Sequence, residues 1–302
     1  MTGHLQHENT LTAARQTMSA WSRVIESRDE IPAVYQEYFD QQFDREQLFP
    51  RVIWTPSLEK FPRKTTEKLI CDTDDALYVF ERTGNEIDVK CYPYCDIHGS
   101  ELGIVLLDSW LTVYGKTSRG EVSASKIEVN TTSLRYFSSI QKRLRPSLAA
   151  ADHENFTREK DKFNILSTTH FKFMNYGRES LIPGETVQQF IVQAEIRDPL
   201  FTLFGKTFYR DVSPAHLTIL TDHELILFQD VERNRESRVS QYGGLWQYIP
   251  LRIIESLELS DAPNDRLLLS IRCRAGRVVE KLFNASSRSE IEQLRSRFRT
   301  LR

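Results

Sequence analysis

At 302 residues the chain is long enough for about two domains, each burying a core of its own. Its 40% hydrophobic and 27% charged residues are those of a globular protein, and a net charge of -2 gives no global pull toward nucleic acid or anionic lipid, so any partner has to be recognised locally. The longest apolar runs, such as GIVLL at 103–107, fall far short of the roughly 20 residues a membrane helix needs. The N-terminus lacks the apolar core of a signal peptide, and four cysteines do not make a disulfide framework; together these point to a cytoplasmic protein, peripheral at the membrane at most.

In chain order, residues 1–47 read as a helical segment. Leu11, Ala14, Met18, Trp21 and Val24 recur at helical spacing over 9–28, and Ile31, Val34, Tyr38 and Phe43 do so over 31–46, with Pro32 at the start of the second helix. Residues 48–146 carry about seven short strands punctuated by turns such as RTGN (82–85) and SRG (118–120). They run into a helix opened by Asn130, Thr131 and Thr132, whose apolar residues are Leu134, Phe137, Ile140 and Leu144. Residues 147–178 read as a helical linker: a polar stretch, then Phe163, Leu166, His170 and Phe173 on a helix ending near Gly177. Residues 179–302 repeat the strand series, with turns at DAPND (261–265) and RAG (274–276). The pair Gly243–Gly244 reads as a reversal between two strands, because glycine reaches positive φ without steric cost, and Trp246 and Tyr248 share one face of the strand that follows. Asn284 and Ser287 open a last helix with Ile291, Leu294, Phe298 and Leu301 on one stripe.

The two strand series align on each other. TDDALYVF (73–80) matches TDHELILF (221–228), YCDIHGS (94–100) lies over PLRIIES (250–256), 119–145 lies over 275–299, and LFP (48–50) lies over LIP (181–183). The anchors keep the same order in both halves. Strands alone would leave an open sheet with an exposed apolar face, which an amphipathic helix at the end of each series can cover. On LIPGETVQQFIV (181–192), LTILTDHELILF (217–228), YGGLWQYIPLRIIESLEL (242–259) and the closing helix, the chain resembles a tandem bacterial pleckstrin-homology-like protein, well over 181–302 and more loosely over 48–146. The resemblance implies an α+β, mostly β fold. It would hold two pleckstrin-homology-like, partly open β-barrels over 48–146 and 179–302, each capped by a C-terminal helix, plus the N-terminal helices.

Candidate chemistry is sparse. YGKT (114–117) and FGKT (204–207) end like a phosphate-binding loop, but the glycine needed five residues earlier is replaced by Trp110 and Leu200, so both read as strand ends. Cys91, Cys95 and His98 lie within eight residues, yet an extended chain would hold the two thiols about 13 Å apart, too far for one tetrahedral ion. No nucleophile elbow or paired-histidine motif is present, and His98, His216 and His223 read as ordinary residues beside strands. Asp74 and Asp75 read as turn residues.

Lys60, Arg63, Lys64 and Lys68 form the one basic cluster with a ligand rationale, since early-loop cations grip anionic headgroups in eukaryotic pleckstrin-homology domains; the corresponding region of the second copy, 195–211, is mixed in charge. Trp246 and Tyr248 are read mainly as packing residues, with a partner surface as the alternative. The resulting expectation is a non-enzymatic interaction or scaffold protein without cofactor or metal. It would bind a protein or peptide partner or a second copy of itself; nucleic acid is disfavoured because the aromatics fall on core faces. Two alternatives stand beside it: a peripheral membrane module binding anionic lipid through the four cations, and an enzyme with a cryptic site between the domains.

Overall fold

The computed structural model describes residues 21–43, 48–57, 59–60, 63–105, 108–145, 152–230 and 243–302, with backbone alone for residues 59, 60, 63 and 64. The chain is mostly β. In order it forms β1 (Arg23–Ile25), α1 (Ala33–Gln42), β2 (Val52–Thr55), β3 (Glu59–Lys60), β4 (Arg63–Lys64), β5 (Lys68–Asp72), β6 (Ala76–Thr83), β7 (Glu86–Pro93), β8 (Ile97–Val105), β9 (Asp108–Lys116), β10 (Val122–Asn130) and α2 (Ser138–Arg143). Then come α3 (His153–Asp161), α4 (Phe171–Ser180), β11 (Val187–Gln193), β12 (Ile196–Leu203), β13 (Lys206–Ser213), β14 (His216–Thr221), β15 (Glu224–Gln229), β16 (Gly243–Pro250), β17 (Ile254–Ala262), β18 (Arg266–Cys273), β19 (Val278–Asn284) and α5 (Arg288–Leu301). Contacts divide the chain into two units, Met1–Ile97 with Leu106–Leu144, and His98–Val105 with Arg145–Arg302.

The first unit is built on an antiparallel sheet in the order β1-β2-β5-β6-β7, beside the β9–β10 pair. Strand β6 (ALYVFERT) shows why both faces of that sheet are covered. Leu77 and Val79 point to one side, into a core with Tyr92, Leu111, Ile127 and the helix-end residues Phe137, Ile140 and Leu144. Phe80, one residue out of phase, points to the other side, where Ile31, Tyr35 and Phe39 cover it from α1 and the residue before Pro32. Each such apolar side chain contributes about 1.5–3 kcal/mol when taken from water. The helix after Asn130 is shorter than its apolar spacing suggests: Thr131–Phe137 form a 3-10 helix, opened by the Asn130 side chain accepting from Thr132 N at 3.0 Å, before α2 begins. A helix over 9–28 is corrected where it is described, because Arg23–Ile25 pair with β2 as a strand; its remainder, up to residue 20, lies outside the described residues.

The second unit repeats the plan. Its main antiparallel sheet runs β8-β16-β15-β14-β11, and a second sheet runs β17-β18-β19. On β15, Leu225 and Leu227 join the core sealed by Ile291, Leu294 and Phe298 of α5, while Ile226 and Phe228 face Phe163, Phe173 and Met174 from the α3–α4 region. So α4 serves this sheet as α1 serves the first. Gly177 does not end α4: a Cβ there would lie 2.7 Å from the Phe163 ring, and the helix runs on to Ser180. Strand β8, which belongs to the first copy by sequence, groups with this unit and pairs with β16.

The duplication is visible in detail. Thr73 Oγ1 accepts from Ala76 N at 3.0 Å and Thr221 Oγ1 accepts from Glu224 N at 3.0 Å, so TDDA and TDHE form the same turn. Pro93 and Pro250 each precede a single 3-10 turn, Tyr94–Asp96 and Leu251–Ile253, which places Tyr94 over Leu251, one residue from the sequence alignment. The sheets are not closed on themselves.

The reading of Gly243–Gly244 as a reversal is overturned: both residues lie inside β16, opposite Val105 and Ile104. A Cβ on Gly243 would meet the Ile104 carbonyl oxygen at 2.1 Å, and one on Gly244 would meet the Phe228 ring at 2.1 Å. The glycines open β16 and permit close approach of neighbouring chain, and Gly243 also takes a positive φ of 102°.

Candidate interaction surface

Between the first two strands of the second unit's sheet, β11 and β14, the chain inserts a hairpin of its own, β12 and β13, paired only with each other. Leu203 faces Lys206 across the two-residue turn Phe204–Gly205, whose φ values of 48° and 74° both lie in the left-handed region. This is the backbone a tight hairpin needs to match strand twist, and it favours asparagine or glycine at the first position. A phenylalanine there costs about 1 kcal/mol of backbone strain.

Every residue from 199 to 211 is exposed. Phe201 and Phe208 stack at 4.7 Å on one face together with Leu203, the opposite face carries Tyr209 and the bonded pair Thr202 and Thr207, and Leu200 sits at a bulge. Phe204 stands at the tip, 95% exposed. The six large apolar side chains Leu200, Phe201, Leu203, Phe204, Phe208 and Tyr209 are thus all exposed on this one element, and clustered apolar exposure is the kind that marks interaction sites. Charge is confined to the base and to Lys206. Asp198 is gripped by Arg266 of β18, which holds its carboxyl below the usual carboxylate range, and Arg197 pairs with Glu195 and Asp211. The base is tied to the fold, and among the described residues the two strands pair only with each other.

The residues singled out from the sequence fall elsewhere. Lys68 is 3% exposed and ion-paired with Glu81 at 3.1 Å, so it is unavailable to a headgroup. Lys60 and Arg63 are opposite one another in the two-residue strands β3 and β4, next to Lys64; the side chains of these three lie outside the described residues. Trp246 and Tyr248 are 5% and 4% exposed. Trp246 packs on Phe228 and Tyr176, with ring centres 4.8 and 5.0 Å apart, so the partner-surface alternative is corrected to core packing. Cys91 and Cys95 lie at the end of β7 and in the turn after it, His98 lies on β8, and among the described residues no three metal-ligating side chains gather. YGKT ends β9, whereas FGKT is the hairpin tip itself.

Sequence reasoning missed two features. One is a buried charge cluster in the second unit. Arg145, 5% exposed at its side chain, donates from Nε to Glu224 Oε1 at 2.8 Å and from Nη2 to Glu185 Oε2 at 3.2 Å, and lies 4.2 Å over the Tyr248 ring. Burial, then the Glu224 charge, push the Glu185 carboxyl up to about 9, so it is protonated at neutral pH. No spacing signals it, because its members are 40 and 79 residues from Arg145.

The other is the set of carbonyls held by arginines on and just after α5, a helix whose arginines are plain in the sequence. Arg295 donates to the Leu257 carbonyl at 2.8 Å and Arg302 to the Glu255 carbonyl at 2.5 Å, beside a cavity of about 390 Å³ also lined by Phe298 and Arg299. These guanidiniums occupy carbonyls on the outer edge of β17, which blunts that edge against strand addition. His216 is likewise structural: it lies edge-on to Phe283 at 4.8 Å, and burial drives its pKa down to about 4.

Among the described residues, no helix is long and apolar enough to cross a membrane. No protein-family model matches the chain, and no curated protein matches it.

Proposed function

We propose that the chain is a non-enzymatic interaction protein of two pleckstrin-homology-like units, which engages another macromolecular surface through the β12–β13 hairpin. The family reading draws support from the shared order of strands, the 3-10 turn after a proline in each unit and the closing helix with its apolar stripe. The observation that carries the interaction reading is the exposure of Leu200, Phe201, Leu203, Phe204, Phe208 and Tyr209 on one element whose two strands, among the described residues, pair only with each other. An isolated two-stranded hairpin is marginal in water, and exposed apolar groups with a strained aromatic at the tip only add to its cost. Contact with a second surface offsets that cost.

The test is site-specific photocrosslinking in cells that make the protein, with benzoylphenylalanine at position 204 and, as control, at Val122, an exposed apolar residue of the first unit. The reading predicts an adduct, to protein or to lipid, at 204 and none at 122. Absence of any adduct at 204 contradicts it.

A further inference from the structure

We infer that the hairpin is a self-association element: the face of β12–β13 that carries Phe201, Leu203 and Phe208 packs on the same face of a second copy of this chain, across a two-fold axis. This rests on the reading of the hairpin as the contact element. Directly opposite residues of an antiparallel pair share a face. Leu203 and Lys206 therefore form the row nearest the tip, Phe201 and Phe208 the next, and Asp198 and Arg210 the row at the base. The other face is not equivalent, since Thr202 and Thr207 there bond each other.

The area decides what kind of contact this is. Phe201, Phe204 and Phe208 are 55%, 95% and 46% exposed, together about two whole aromatic side chains, or roughly 300–500 Å². Half-exposed Leu200 and Leu203 enlarge it. Doubled across a two-fold, the face supplies on the order of 1,000 Å², the low end for a specific interface and the size of a reversible one. The pair of copies accordingly forms with a dissociation constant on the order of micromolar and comes apart on dilution.

The occupant follows from what the face lacks. Residues 199–209, PLFTLFGKTFY, contain no acidic residue and one cation, Lys206. A different partner would find no charge pattern to read there, whereas an apolar face is its own complement once a two-fold brings the same patch together. Lys206 fixes the direction. With the axis through the stacked Phe201–Phe208 row and the hairpins antiparallel, the two Lys206 residues stand two positions to either side of it. At roughly 3.3 Å per residue they are about 13 Å apart, beyond the screening length of about 8 Å at physiological salt. With the tips together the two ammoniums would meet. Antiparallel packing instead sets Lys206 level with the ion-paired Asp198 and Arg210 of the second copy, and brings each Phe204 to the base of the other hairpin.

The experiment is sedimentation velocity of the full chain from about 1 to 100 µM, which brackets a micromolar constant, for the native sequence, Phe201→Ser, Phe208→Ser and the control Val122→Ser. All three positions are exposed, so circular dichroism, and thermal unfolding at the dilute end, match the native chain and report an intact fold. The native chain is expected to shift from monomer to dimer as concentration rises. Each phenylalanine substitution enters twice in a symmetric pair and weakens the dimer about tenfold or more, while Val122→Ser leaves it unchanged. In the purified chain, benzoylphenylalanine at position 204 is expected to join two copies, with the linked residue near Asp198 and Arg210. Adducts that join tip to tip overturn the antiparallel packing, and a dimer that Phe201→Ser and Phe208→Ser leave intact overturns the inference, since another surface then joins the copies. A chain that stays monomeric throughout, with an adduct to a different molecule at 204 in cells, overturns self-association and leaves the hairpin as a contact for that molecule. A monomer with no adduct removes both readings.

Discussion

Glu185 shows how a single residue can write its environment into stability. In the unfolded chain its carboxyl titrates near 4.5, and in the fold burial beside Glu224 raises that to about 9 despite Arg145. The folded state therefore binds a proton that the unfolded state releases between those values, so its contribution is full below about pH 4.5 and is lost as pH rises through about 9. A neutral glutamine keeps the shape without the proton. Urea unfolding of Glu185→Gln should lose part of the decline in stability that the native chain shows on the alkaline side, and at about pH 9 the variant should be the more stable by on the order of a few kcal/mol. An identical pH slope in both chains would mean that Glu185 is not protonated in the fold.

At the scale of elements, two segments show where sequence pattern succeeds and where it stops. The continuous apolar runs ALYVF in β6 and LILF in β15 mark strands buried on both faces, and the neighbouring apolar faces exist to cover them. The period of two along Phe201, Leu203 and Phe208 says which side chains share a face and nothing about whether anything covers it; coverage is set by parts of the chain far away in sequence, and these three stay exposed. A Gly-Gly pair is ambiguous in a related way, since positive φ and missing Cβ serve a turn or a close approach equally well. In β16 the second use wins. Gly244→Ala places a methyl 2.1 Å from the Phe228 ring, whose neighbours Phe173, Tyr176 and Trp246 leave it little room to move. A loss of about 1–3 kcal/mol in urea unfolding is expected, and an unchanged midpoint would show that the sheet gives way at no cost.

For the whole molecule, the repeated plan was legible where its anchors are local, as in TDDA and TDHE, which form the same threonine turn; the equivalence of Pro93 and Pro250 escaped an alignment that set Tyr94 over Pro250. The charge cluster around Arg145 and the isolation of β12–β13 were not legible, since both depend on which distant residues meet or fail to meet. The central claim is that the hairpin is an appendage whose aromatics serve contact and not the fold. Thermal unfolding of the full chain carrying Phe201→Ser, Phe204→Ser and Phe208→Ser tests it most directly. The account predicts a midpoint within about a degree or two of the native chain, as for exposed sites. A fall of roughly ten degrees or more, the mark of lost core packing, would contradict it.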